Sequence, residues 1–228
     1  MTRRTGSWPP KSLMAALTDE ERTALLRLGT EIEFPHRTNL VTQGDTKNDE
    51  LYVLLDGVVL VTVNNAEGEE TTLTTRSRGD LIGEFAVLDD SPRTATVTAV
   101  TTVVALRIGR TAFKGFVTEN TSVYEPLVVS VLAKTRSNVA RRAELRTWDA
   151  RKRLANMLWE LADEHGVPTD EGRMIELFTQ SEIGSLAGAR EATTERHLRE
   201  FRIAGLIRTR WHKVVVVDMD GLAAVWRE

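Results

Sequence analysis

Hydrophobic periodicity changes once along this chain, near residue 110, and that change limits what the chain can fold into. From Glu31 to Ile108 the apolar residues come in brief runs rich in Val, Thr and Ile, broken by Gly44-Asp45, Gly57, Gly68 and Gly79-Asp80. This predicts short strands joined by glycine turns. Leu51 to Leu55 and Val58 to Val63 flank Asp56-Gly57, the strongest hairpin signal present. A second pair, Glu70 to Thr75 and Thr94 to Val100, brackets the stretch between them. Two sheets folded together as a β-roll or jelly roll hide the edges of such strands. Ahead of them Leu13, Leu17, Leu25 and Leu28 lie near helical spacing. Thr18 as N-cap and Asp19, Glu20 and Glu21 after it predict one short leading helix.

Past Thr111 the spacing is helical. Ala112, Phe113 and Phe116 suit one short helix. Beyond Asn120-Thr121-Ser122, residues Tyr124, Val128, Val131, Thr135, Asn138, Arg142 and Leu145 alternate spacings of four and three, a coiled-coil seam with a polar second half. Pro126 falls in its first turn, where proline is tolerated. Polar Thr135 and Asn138 suit an interface between two copies that reaches a ligand better than they suit a core. From Asp149 a further unit begins: Arg151, Leu154, Leu158 and Leu161 carry a helical period that ends at His165-Gly166-Val167-Pro168, and Met174 to Leu177 make a strand.

Phe178 to Leu198 then reads as a helix-turn-helix. Thr179 caps the first helix, Ile183, Leu186 and Ala187 bury one face, Gly188 supplies the turn, and the second helix buries Leu198, Phe201 and Ile203 or Ala204. Between Arg190 and Lys213 seven cations stand against three carboxylates, a surplus suited to a phosphate backbone. Arg190 or Arg196 can clasp a guanine, Glu191 can accept from a cytosine amino group, and Ala192 or Thr193 can touch a thymine methyl. Arg199 and Arg202 suit phosphates, with Thr179 and Ser181 candidates for the same role. Gly205 to Arg208 and Lys213 to Asp218 predict two strands around a turn at Trp211-His212, which makes the helix-turn-helix winged.

Gly79 to Ala99 carries the other candidate site. Gly83 lets backbone approach a ligand, Glu84 can accept from a sugar hydroxyl, and the N–H groups of a short turn including Phe85 and Ala86 can bind phosphate oxygens. Arg93 can donate a bidentate pair, with Thr94 beside it. A sugar-phosphate fits this division of labour.

Several classes are excluded or disfavoured. No cysteine is present, so disulfides, cysteine-bound zinc and thiolate-held iron–sulfur clusters are ruled out. His36, His165, His197 and His212 sit in separate elements without metal-ligand spacing, and no nucleophile or phosphate-loop motif occurs. Neither an enzyme nor a metal site is expected. A formal net charge of -3 is silent on nucleic acid, which depends on a local face. No stretch reaches membrane-spanning length, so a cytoplasmic protein with no membrane partner is expected.

The run Gly83-Glu84-Phe85-Ala86-Val87-Leu88, followed by Pro92-Arg93-Thr94-Ala95-Thr96-Val97, resembles the phosphate-binding cassette of the cyclic-AMP receptor protein and fumarate-nitrate-reductase regulator (Crp/Fnr) superfamily. The second half resembles the same family's carboxy-terminal domain. The resemblance implies an α+β chain of three parts. An N-terminal cyclic-nucleotide-binding β-roll covers residues 1–120, a dimerisation helix 121–147, and a C-terminal winged helix-turn-helix 148–228. It further implies cyclic AMP as effector, held by Gly83, Glu84, Phe85, Ala86, Arg93 and Thr94, with Thr135 of the helix facing the adenine of the partner's nucleotide. Arg136 stands where cyclic-AMP receptors carry a small polar side chain, and the Arg190-Glu191 pair is shifted one place if the turn is aligned on Gly188. The expected partners are double-stranded DNA, a second copy of the chain and RNA polymerase. The same fold binding DNA without effector, or sensing another nucleotide or haem, is the alternative.

Overall fold

A computed structural model describes residues 7–10, 12–47, 49–68, 70–210 and 213–227, apart from the side chains of Arg142 and Leu145. The chain divides into two compact units, Met1–Asn138 and Val139–Glu228.

The first unit opens with α1 (Leu13–Ala16) and α2 (Asp19–Leu26). These are two helices where the leucine spacing predicts one. Thr18 breaks the run because it forms a full capping box with Glu21, restarting the helix one residue later. The strands β1 (Thr30–Phe34), β2 (Asn39–Val41), β3 (Glu50–Asp56), β4 (Val58–Asn64), β5 (Glu70–Ser77) and β6 (Leu81–Ile82) follow. After them come α3 (Glu84–Asp89), β7 (Thr96–Ala99), β8 (Val103–Gly109), α4 (Arg110–Glu119) and the long α5 (Tyr124–Thr147). Two four-stranded sheets result, ordered β1-β8-β3-β6 and β2-β7-β4-β5, and each pairing is antiparallel.

The expected hairpin across Asp56-Gly57 does not form. β3 pairs with β8 and β6, whereas β4 pairs with β5 and β7. Asp56-Gly57 instead carries the chain from one sheet to the other, with Gly57 at φ 89°. A β-carbon there would lie 2.6 Å from the Thr102 carbonyl oxygen. β5 and β7, expected as a pair, lie on either side of β4.

β3 is buried on both faces. Leu51 and Val53 join Leu106 and Ile108 under the helices, against Leu25, Phe113, Phe116 and Leu127. Tyr52 and Leu54 point the other way, into an inter-sheet core with Val59, Val97, Val103 and Ala105. The period of two along β3 thus builds two cores at once.

The second unit contains α6 (Ala150–His165), β9 (Val167–Thr169), β10 (Gly172–Ile175), α7 (Gln180–Leu186), α8 (Glu191–Ile203), β11 (Ile207–Arg210), β12 (Lys213–Val216) and α9 (Met219–Arg227). The strands order as β11-β12-β10-β9. The expected turn at Trp211-His212 lies outside the described residues. α9 is an element the periodicity did not announce. It buries Leu222, Ala223 and Val225, and its Trp226 meets Trp159 of α6 edge-on at 5.9 Å. One face assignment is corrected: Ile203 is 80% exposed and Ala204 is also exposed. α8 turns Thr194 and His197 inward with Leu198 and Phe201, following a period of three and four that ends at Phe201.

Gly57→Ala is expected to lower unfolding free energy by about 1–3 kcal/mol, the scale of a side chain forced into a sparsely populated backbone region. Urea denaturation of the intact chain measures it.

Candidate ligand cassette and DNA-binding face

β6 delivers the chain into the cassette, where Gly83 takes φ 83° and opens α3. A β-carbon at Gly83 would lie 2.4 Å from Arg93 Nη1, so glycine is required here for conformation and for space. Arg93 is only 3% exposed. Its Nη1 donates to the Gly83 carbonyl at 2.6 Å and its Nη2 to the Glu50 carbonyl, which fixes the guanidinium plane. The Arg93 main chain is clamped as well, its N–H donating to Asp45 O at 3.0 Å and its carbonyl accepting from Gly44 N at 2.8 Å.

The neighbouring acids are engaged elsewhere. Asp90 pairs with Arg110 and Lys114. Asp89 accepts from the Ser91 hydroxyl and N–H, which hold its carboxyl below the usual aspartate range. Burial of the Arg93 side chain thus sets it apart from a surface cation serving Asp89 or Asp90.

Glu84 brings a residue that motif reading missed. Its side chain is 6% exposed and its Oε1 lies 2.6 Å from Nζ of Lys134 on α5, while Lys134 also donates to the Leu81 carbonyl. Burial pushes the nearby Asp80 carboxyl up, with Lys134 and Arg76 opposing and Glu84 adding to the rise. The first half of α5 is thus tied electrostatically to the cassette. A lysine inside an otherwise neutral stripe was the available signal. Phe85 is half-buried and Ala86 buried in α3, and Thr94 is exposed beside Arg93. Thr135 and Arg136 are exposed on α5 and are not brought to this cassette by any contact among the described residues. The Thr135 hydroxyl donates to Val131 O of its own helix at 2.9 Å.

In the second unit Thr179 forms a capping box with Glu182, so its hydroxyl is already engaged, while Ser181 is exposed. α7 and α8 meet at Gly184, where a β-carbon would lie 2.3 Å from Thr194 Oγ1. Gly188 takes φ 61° in the turn. α8 then presents Arg190, Glu191, Ala192, Arg196, Arg199 and Arg202 to solvent, with Thr193 half-buried. Glu200 Oε2 accepts from His197 Nδ1 at 2.8 Å, and this bond holds the Glu200 carboxyl below its ordinary value. Arg196 Nη2 lies 3.2 Å from the same imidazole.

Two arginines absent from the sequence reading hold the turn. Arg153 donates from Nε to Ala187 O at 2.8 Å and from Nη2 to Gly188 O at 3.1 Å. Arg141, at the far end of α5, donates to Leu186 O at 3.0 Å. Three successive carbonyls at the end of α7 are thereby satisfied, which sets the angle at which α8 leaves.

A β-roll with a glycine–glutamate–arginine cassette, and a winged helix-turn-helix with an exposed arginine-rich second helix, define a class: a ligand-cassette protein that binds DNA. Comparison with known proteins agrees. The family model for a cyclic nucleotide-binding domain matches residues 31–120, and that for a Crp-like helix-turn-helix domain matches 152–225. The chain is 30% identical over 203 residues to the CRP-like cAMP-activated global transcriptional regulator of Mycobacterium tuberculosis, covering 88% of this chain and 89% of that one. It is 26% identical over 185 residues to the cAMP-activated global transcriptional regulator CRP of Escherichia coli, covering 81% and 88% respectively. Among solved structures, the c-di-GMP responsive global regulator CLP of Xanthomonas campestris superposes with a TM-score of 0.76 at 18% identity, over 87% of this chain and 99% of that one. CooA of Carboxydothermus hydrogenoformans gives 0.74 at 21% identity, over 95% and 96%. The chain belongs to the Crp/Fnr superfamily: it is a DNA-binding transcription regulator with a cyclic nucleotide-binding domain. No helix among the described residues is long and apolar enough to cross a membrane.

Lys134→Met is expected to lower stability by about 3–5 kcal/mol, because it strands a buried carboxylate. The paired change Glu84→Gln with Lys134→Met is expected to cost less. Urea denaturation of the two variants decides, and equal losses for the single and the double change would remove the pair from the account.

Proposed function

We propose that this regulator works as a homodimer whose affinity for DNA is set by cyclic AMP bound in the cassette. The observation that carries the reading is the closeness of Arg93 to Gly83 at the start of α3, with Glu84 the next residue. The buried guanidinium is held there by the Gly83 and Glu50 carbonyls, and a cyclic phosphate would take the place of one of these acceptors; a ribose hydroxyl would donate to Glu84, which Lys134 also engages. Phe85 and Ala86 would contribute main-chain N–H groups and Thr94 a hydroxyl. The two relatives activated by cyclic AMP support that choice of nucleotide.

Dimerisation is supported by α5. Tyr124, Val128, Leu132 and Val139, spaced four, four and seven apart, form an exposed apolar stripe along it, and an apolar stripe on one face of an exposed helix suits a second helix. The stripe lies over Leu132 and Val139 rather than over the half-buried Val131 and Asn138 of the sequence-derived seam. Thr135 and Arg136 are exposed on this helix and would approach the nucleotide held by the partner subunit. In this reading residues 1–120 sense, 121–147 dimerise and 148–228 bind DNA in the cytoplasm. Arg190, Glu191, Ala192, Thr193 and Arg196 would meet bases, and Ser181, Arg199 and Arg202 would meet phosphates, with Thr179 placing the first helix. Kinship with global transcriptional regulators supports RNA polymerase as a further partner.

Isothermal titration of the purified chain with cyclic AMP, cyclic GMP and cyclic di-GMP tests the effector. Cyclic AMP is expected to bind, and Arg93→Ala to weaken it by about 1.5–3 kcal/mol, the scale of a hydrogen bond to a charged group. Unchanged affinity would remove Arg93 from the site, and binding of cyclic di-GMP alone would replace the effector.

A further inference from the structure

Cations of α8 and of the wing differ in what they face. On α8, no carboxylate lies within ion-pairing distance of Arg190, Arg199 or Arg202 among the described residues. On the strands of the wing each cation is matched. Arg208 lies 3.1 Å from Glu171 Oε1, Arg210 Nη2 reaches both Glu171 oxygens at 3.0 and 2.9 Å, and Lys213 lies 3.0 Å from Glu176.

Glu171 is delivered there by the β9–β10 hairpin. Its N–H donates to Thr169 Oγ1, which itself donates to the Gly172 carbonyl at 2.8 Å. Gly172, at φ 136°, brings the hairpin so close to β12 that a β-carbon would lie 2.1 Å from Val216 O. A glycine is therefore needed to bring the carboxylate up to the two guanidiniums. Arg208 and Arg210 nevertheless keep 60% of their side-chain surface exposed. Exposed ion pairs of this kind add little to stability, so their consequence lies in what they leave available to a polyanion.

We propose that the protein holds the DNA-backbone contact of the wing strands β11 and β12 partly neutralised, with Glu171 standing where a phosphate would bind Arg208 and Arg210. Carboxylate and phosphate present the same acceptor geometry to a guanidinium fork. Glu171 thereby restrains binding to arbitrary duplex, and sequence-independent affinity rests on α8. Only the DNA-binding role of this unit is presupposed, and no effector.

The test is the salt dependence of binding to a random-sequence duplex, read by fluorescence anisotropy between about 50 and 200 mM KCl. Each further phosphate that the protein neutralises steepens the plot of log affinity against log salt by about 0.9. Glu171→Gln is expected to steepen it by about 0.9 to 1.8, as for one or two phosphates, and to tighten low-salt binding on the order of tenfold. Asp220→Asn, which removes the same charge from α9, is expected to change the slope by less than half as much. Arg208→Ala with Arg210→Ala is expected to cost more affinity in the Glu171→Gln background than in the unaltered chain. An unchanged slope in Glu171→Gln, an equal gain from Asp220→Asn, or an equal cost of the arginine changes in both backgrounds would each overturn the proposal. Should Glu171→Gln not fold, the arginine changes alone decide. A slope shallower by about 1.8 on removing both arginines from the unaltered chain would show that Glu171 restrains nothing, and a smaller change is the expected result.

Discussion

The ion pair between Glu84 and Lys134 is the constraint that ties the first half of α5 to the cassette of the first unit. Two charges removed from water are costly, and the interaction is tolerated only where geometry is good and remaining hydrogen-bonding capacity is met. Here Lys134 meets both Glu84 and the Leu81 carbonyl, and its stem lies with the first half of α5. A helix so fixed leaves Thr135 and Arg136, the next two positions, exposed rather than packed. The Glu84 carboxylate is thus already engaged by the helix that carries the apolar stripe. Under the proposed function, a ligand competing for or reinforcing that bond would act directly on α5.

The other end of α5 is held by a different device within the second unit. Arg141 is almost wholly buried and reaches the end of α7, where Arg153 satisfies the next two carbonyls. Arginine suits this role because its planar fork serves several acceptors from one rigid group. The angle between α7 and α8 is consequently set by side chains from α5 and α6 together with the close approach at Gly184. α5 is one continuous helix that carries Lys134 within the first unit and Arg141 within the second.

Local chemistry is legible where a residue's role is set by its immediate neighbours. Thr18 and Thr179 read as caps and form capping boxes, and Gly188 reads as a turn residue and takes positive φ. Legibility ends where non-local pairing decides. Asp56-Gly57 has the composition of a hairpin turn, yet the strands it joins are apolar on both faces and are each claimed by other strands. Lys134 has the look of a solvated lysine because its partner is 50 residues away. Hydrophobicity alone places Ile203 inward, although the helical period beginning at Thr194 and His197 has already turned past it. Arg141 and Arg153 resemble surface cations for want of any view of the carbonyls they meet.

Thermodynamic reciprocity gives the most direct test of a sensor joined to a DNA reader. The affinity for cyclic AMP is measured by calorimetry on the free protein, then on the protein saturated with a duplex selected by it from a random pool. The account predicts a difference of about 5- to 150-fold between the two dissociation constants, the usual range of coupling between linked sites. Equal constants in the presence and absence of DNA would contradict it.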